Sequence, residues 1–195
     1  ELHDSLGIFL ISRDIGLSIK CPKYTQSTYY SIFNNYMSEK NFFDFNLESL
    51  KLFLNKDLEI EEKKVSMRSK QIWQSVYQKG SFEIKDLTTF PLELRDKLNN
   101  LISLQRPKII KTQTSSDGTI KWLIKLFDGN EVECVYIPEK SRATLCISSQ
   151  VGCTLNCRFC HTGTQRLVKN LSFAEIVNQV MIAKEQINDW SEQKK

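Results

Sequence analysis

The most regular pattern of apolar and polar positions lies toward the carboxyl end. Phe173, Ile176, Val177, Val180 and Ile187 recur at helical spacing. Ser172, with Glu175 three residues on, forms a capping box that predicts where this helix begins. A short helix is predicted over 47–54. A second runs from about Val65 to Gln78, with Met67, Ile72, Val76 and the Trp73/Tyr77 pair on its buried side, and Gly80 stops it. Thr89 and Pro91 open a third, lined on one face by Leu94, Leu98, Leu101 and Ile102 and ended by Pro107. Arg68 and Lys70 fall off the apolar stripe, either toward a phosphate backbone or simply toward solvent. Tyr29, Tyr30, Ile32, Phe33, Tyr36 and Met37 form an aromatic stripe that reads as core.

Elsewhere the period changes to two. Ile120, Trp122 and Ile124 alternate with polar neighbours, Asp128-Gly129 is a strong turn signal, and Glu131 to Ile137 reads as the returning strand. Gly7–Ile11 and Ala143–Ser149 read as further strands. After the latter comes a polar, cysteine-bearing loop to Asn170, then the capped helix. Strand, long loop and helix in that order describe the first unit of an α/β sheet or barrel, whose ligand sites gather at the strand's carboxyl end. The fold class expected is therefore α/β: a small helical module, a β-hairpin, and the first β/α unit of a sheet or barrel.

With 195 residues, 41% hydrophobic and 26% charged, the composition is that of a foldable chain. No run approaches the length of a membrane span, and no signal peptide opens the sequence, so a cytoplasmic location is expected. The first residue is not Met, and Lys194-Lys195 follows soon after a strong helix, so both ends read as cut. The net charge of +4 is uneven. Residues 1–60 carry −2, residues 61–111 carry +5 and residues 112–195 carry +1. The middle segment points to polyanions.

Four of the six cysteines, Cys146, Cys153, Cys157 and Cys160, fall within fifteen residues; Cys21 and Cys134 lie apart. Such crowding favours metal or redox chemistry over a disulfide scaffold. Structural zinc takes four protein ligands, and the local fourth candidates here are His161 and Cys146. A four-iron cluster held by only three thiolates keeps one iron open to a small molecule. The C-x₃-C-x₂-C spacing of Cys153, Cys157 and Cys160, directly after a strand, resembles that of the radical S-adenosylmethionine (SAM) enzymes. In them the three cysteines hold a [4Fe-4S] cluster, and Phe159 stands where an aromatic packs near the cofactor's adenine.

The resemblance extends further. Arg142-Ala-Thr-Leu-Cys146-Ile-Ser-Ser-Gln-Val-Gly-Cys153 is similar to the radical-SAM RNA adenine carbon-2 methyltransferases. So are Cys157-Arg-Phe-Cys160-His-Thr-Gly and Asn170-Leu-Ser-Phe-Ala-Glu-Ile-Val-Asn-Gln-Val180. Ser115–Trp122 and Val132–Glu139 look like that family's linking ribbon, and Arg68–Tyr77 like its helical accessory domain. Lys169 stands where an arginine is commoner. The resemblance implies domains at 45–106 (helical, RNA-contacting), 107–141 (ribbon) and 142–195 (start of a partial (β/α)₆ barrel), behind a lead-in of unassigned role at 1–44.

The implied activity is methylation of carbon 2 of an adenine in the peptidyl-transferase centre of 23S rRNA, and of the adenine beside the anticodon in tRNA. Carbon 2 offers no lone pair, so ordinary methyl transfer cannot reach it. The family instead consumes two SAM molecules. The first methylates a cysteine, and the second yields a radical that activates this S-methyl group for addition to the ring. A thioether between protein and RNA results. A second cysteine, as thiolate, then forms a disulfide with the first and releases the product. Cys146 matches this resolving cysteine; a buried strand thiol is its other reading. Glu133 matches an acidic residue assigned to proton movement at the adenine, and otherwise reads as a solvated carboxylate. The resemblance also implies an electron donor such as flavodoxin or ferredoxin, and a monomer.

The family's methyl-carrying cysteine and its Gly-x-Gly-Glu-Pro segment lie beyond residue 195, so this stretch is expected not to turn over alone. A sister methyltransferase acting on carbon 8 of the same rRNA adenine shares the cysteine layout. A non-enzymatic, zinc-bound RNA-binding module is the alternative from another class, with Trp73 and Tyr77 as stacking surfaces.

Overall fold

The computed structural model describes residues 8–12, 40–153 and 165–190. In chain order its strands are β1 (Ile8–Ser12), β2 (Lys40–Asn41), β3 (Ile102–Ser103), β4 (Lys108–Thr114), β5 (Ile120–Lys125), β6 (Glu131–Pro138), β7 (Ala143–Ser148), β8 (Gln150–Val151) and β9 (Lys169–Asn170). The helices are α1 (Leu47–Lys56), α2 (Glu62–Tyr77), α3 (Leu92–Asn99) and α4 (Phe173–Gln186).

Local chemistry sets the boundaries. Ser172 and Glu175 cap α4 reciprocally, as the sequence predicts, and Asn46 and Ser49 do the same for α1. Gly80 follows α2 at φ 77°, where a Cβ would stand 2.4 Å from the Trp190 ring. Glycine both permits that backbone conformation and lets the indole close over it.

The helical part packs around an aromatic nucleus. Phe42 and Phe43 are fully buried and meet Trp73 and Tyr77, whose own rings lie 4.6 Å apart. Trp73 and Tyr77 are thus packing residues. Helix α2 departs from the reading in one respect: Met67 is 49% exposed, and the buried line is Val65, Ser69, Ile72, Ser75 and Val76. Two serines lie on that line, and the Ser69 hydroxyl is satisfied by donating to the Ser66 carbonyl at 3.0 Å. Arg68 does not point to solvent. Its guanidinium lies 4.9 Å from the Phe90 ring and donates to the Thr89 carbonyl at 2.8 Å. Helix α3 ends at Asn99, before Leu101 and Ile102. Ile102 instead enters β3, parallel to β2.

The predicted hairpin is the centre of a five-stranded sheet ordered β1-β7-β6-β5-β4, antiparallel throughout. Trp122, Ile124, Val132, Cys134 and Ile147 are buried on one face, against Val180, Ile182 and Ala183 of α4. Ala174, Val177 and Met181 of the same helix enter the helical core. Buried on both sides, α4 is apolar around most of its circumference. Arg106 also ties the two parts together. Its side chain is 5% exposed, pairs with Glu185 at 3.2 Å and lies 4.4 Å from the Phe82 ring. Burial lowers its pKa, and Glu185 offsets part of that. No helix among the described residues is long and apolar enough to cross a membrane.

Candidate functional site

Strand β7 presents Cys146 on the sheet face opposite α4. The register pairs Cys146 with Val135, Val135 with Lys121 and Lys121 with Gln113, so these four share one face. Glu133, two residues from Val135, is on that face too. Cys146 and Glu133 are therefore diagonal neighbours on adjacent strands, with Cα atoms about 7–8 Å apart by ordinary sheet geometry. Glu133 is half exposed and pairs with Lys121 at 2.9 Å. Its backbone carbonyl accepts a hydrogen bond from the Ser148 hydroxyl at 2.8 Å.

The nearby thiols differ in setting. Cys134 is fully buried, and burial, aided by the charge of Cys146, pushes its pKa up to about 12. Cys146 is half-buried; burial raises its pKa as well. Cys134 is a core residue on the helix-covered face, as its lack of an assigned role suggests, whereas Cys146 is open to a reactant.

Beyond Ser148 the chain turns into the cysteine loop, whose base is closed. Strand β8 pairs antiparallel with β9. Leu171 N donates to Ser149 O and Val168 N to Val151 O, both at 2.8 Å, and Cys153 N donates to Gln165 O at 3.1 Å. Gly152 makes this closure possible. Its φ is 78°, and a Cβ there would lie 2.0 Å from the Arg166 carbonyl oxygen. Cys153 thus stands at the loop's root. Cys157, Phe159, Cys160 and His161 lie outside the described residues, as does Cys21. Among the described residues no three His, Cys, Asp or Glu side chains converge as a metal site. The donor set nonetheless fits a three-thiolate cluster. Cys153 is held at the root, and the other two cysteines follow four and seven positions on, in a segment whose ends are hydrogen-bonded together.

Two residues brace this corner that the sequence reading did not single out as structural. Gln179 of α4, completely buried, accepts from Ser148 N and donates to Ser148 O, each at 2.8 Å. Lys169 bridges the Asp128 carboxylate at the β5–β6 turn and Glu175 of the α4 cap, the latter at 2.6 Å. The Lys169 ammonium holds the Asp128 carboxyl down to about 2. The contact needs a positive charge at 169, which lysine supplies as arginine would. A buried glutamine leaves no trace in an apolar pattern.

A scan against models of known protein families finds no match. Curated relatives, however, match strongly. The chain is 51% identical over 132 residues to the dual-specificity RNA methyltransferase RlmN of Nitrobacter winogradskyi, covering 65% of this chain and 33% of that protein. It is 47% identical over 142 residues to RlmN of Bradyrhizobium sp. ORS 278, covering 70% and 35%. The crystal structure of a radical SAM methyltransferase from Sphaerobacter thermophilus superposes with a TM-score of 0.68 at 30% identity, over 77% of this chain and 43% of that one. Over the matched stretch, the chain belongs to the RlmN family of radical-SAM methyltransferases. It spans about a third of the length of the curated RlmN relatives it matches. The fold agrees with that membership: helices first, then the hairpin within its sheet, then the radical-SAM-like beginning of a partial barrel.

Proposed function

We propose that the full-length protein methylates carbon 2 of adenine in 23S rRNA and in tRNA beside the anticodon, with Cys146 as the resolving thiol. The observation that carries the reading is the placement of Cys146 and Glu133 as diagonal neighbours on the open face of one sheet, shortly before a closed cysteine loop. Sequence identity near one half to dual-specificity RNA methyltransferases supports the substrate class.

In this reading Cys153, Cys157 and Cys160 would hold a [4Fe-4S] cluster, and Phe159 would serve in binding SAM. Bound there, the cluster supplies the electron that makes SAM a radical source, two SAM molecules being used per turnover. The chain's own residues do the rest. Cys146 loses its proton and attacks the sulfur of the methyl-carrying cysteine. An S–S bond forms, the bond from that sulfur to the methylene carbon breaks, and its electron pair returns to the methylene. One proton completes the methyl group. Glu133 moves a proton at the adenine, and Lys121 fixes the carboxylate's position. Burial keeps Cys146 protonated at rest, so the attack requires a base. The adenine enters flipped out of its stack. The domains at 45–106, 107–141 and 142–195, behind the lead-in at 1–44, serve as RNA-contacting module, ribbon and barrel start. The protein works as a cytoplasmic monomer, supplied with electrons by a flavodoxin or ferredoxin.

The test is anaerobic purification of full-length protein, metal and sulfide analysis, and mass spectrometry of nucleosides from treated tRNA and rRNA. About four irons and four sulfides per chain, with 2-methyladenosine as product, are expected. Stoichiometric zinc without iron would overturn the reading, and 8-methyladenosine would move it to the carbon-8 enzyme.

A further inference from the structure

The sheet face that carries Cys146 also carries a group of lysines. Three rows cross it. The first is Gln113, Lys121, Val135 and Cys146; the second Lys111, Leu123 and Glu133; the third Lys108, Lys125 and Glu131. Four lysines thus occupy the β4–β5 side, against two carboxylates on β6. Lys108, Lys111 and Lys125 are exposed. Among the described residues only Lys121 of the four has a carboxylate within ion-pair distance.

The helical part differs. Lys51, Lys64 and Lys97 pair with Glu48, Glu61 and Glu93 at 2.8–3.1 Å. Arg68 is held by Phe90 and Thr89. Lys108, Lys111 and Lys125 of the sheet face are exposed, have no carboxylate at ion-pair distance among the described residues, and share that face with the thiol.

We propose that the β4–β5 lysines hold the sugar–phosphate backbone of the RNA strand that delivers its adenine to Cys146. The proposal rests on the RNA methyltransferase reading and adds the surface by which substrate arrives. Lysine is a point charge without the planar fork that reads base edges, so this contact positions the strand without selecting its sequence. Two strand spacings, about 10 Å, separate Lys121 from Cys146, and the outer lysines lie farther along the same face. A strand lying across the rows places its phosphates on β4–β5 while a flipped base extends over β6 toward β7.

The test uses full-length protein and a fluorescein-labelled tRNA anticodon stem–loop, with the dissociation constant measured against salt. Replacing Lys108, Lys111 and Lys125 together by Gln should lower the slope of log affinity against log salt by about 2, at roughly 0.7 per lost phosphate contact. The charge-matched control K40Q/K140Q/K184Q, outside both the helical module and the lysine rows, should keep the wild-type slope, and K108R/K111R/K125R should keep it too. An unchanged slope in the first triple, or an equal loss in the control, overturns the proposal. Lysine acylation of wild-type protein gives a second measure that needs no variant. RNA should protect Lys108, Lys111 and Lys125 but not Lys40, Lys140 and Lys184, and the absence of that protection counts against the proposal equally. Nucleoside analysis of the same wild-type protein keeps the two readings apart. Methylated product without lysine protection sinks only the docking face, whereas protection without methylated product sinks only the assigned reaction.

Discussion

The side-chain amide of Gln179 pairs with both backbone groups of Ser148, each at 2.8 Å, and so acts as a substitute strand at the end of β7. This bond fixes the chain between Cys146 and Cys153 to helix α4. Gln179→Leu keeps the volume and removes both hydrogen bonds, leaving the Ser148 N–H and C=O without their partner. A destabilisation of about 2–3 kcal/mol is expected, read by chemical denaturation of the full-length protein. Unchanged stability would show that the pairing holds nothing in place.

Gly152 brings β8 against Arg166 at a separation that no side chain allows. Gly152→Ala should open the root of the cysteine loop. Left-handed backbone at a non-glycine residue costs about 1–2 kcal/mol, and the Cβ clash adds to it. The expected result is a lower melting temperature and less iron retained per chain after anaerobic reconstitution. Full iron content with an unchanged melting temperature would contradict the role given to this glycine.

The Lys169 bridge predicts a pH window. The Lys169 hydrogen bond lowers the Asp128 pKa from 3.8 to about 2, so its contribution is present above the ordinary carboxylate value and fades as pH falls through about 2. Burial opposes the charge of Lys169, but hydrogen bonds to Asp128 and Glu175 outweigh it and raise its pKa from 10.5. That contribution is complete below 10.5 and is lost as pH rises through the folded value. Lys169→Met should therefore cost about 1 kcal/mol at neutral pH, with the difference from wild type shrinking toward pH 2 and in strong alkali. Lys169→Arg should retain most of the stability. Denaturation curves across this range check both statements.

Much of the frame was readable wherever the signal is local. The Ser172/Glu175 capping box, the Asp128-Gly129 turn and the alternation of Ile120, Trp122 and Ile124 each depend on residues a few positions apart, and each is in the structure. Readings failed where distant partners decide. Met67 looks apolar enough for the core, yet Ser69 and Ser75 of the same helix are buried and Met67 is not. Ile102 continues a helical period, yet pairing with Lys40 draws it into a strand. Nothing in the order of residues shows that β1 pairs with β7, or that Gln179 reaches Ser148. For the site, the spacing of the cysteines and the sequence around them carried the family resemblance. The shared face of Cys146, Glu133 and the lysines needed the register of four strands.

The most direct measurement of the central claim removes the resolving thiol. In full-length protein carrying Cys146→Ala, incubated anaerobically with SAM, a reductant and tRNA, the thioether between protein and RNA should persist. It should appear by denaturing electrophoresis and mass spectrometry as a covalent adduct, with little free 2-methyladenosine. Cys134→Ala, which alters only a buried core thiol, should release product and leave no adduct. Normal product release by Cys146→Ala, without an adduct, would contradict the assignment of Cys146.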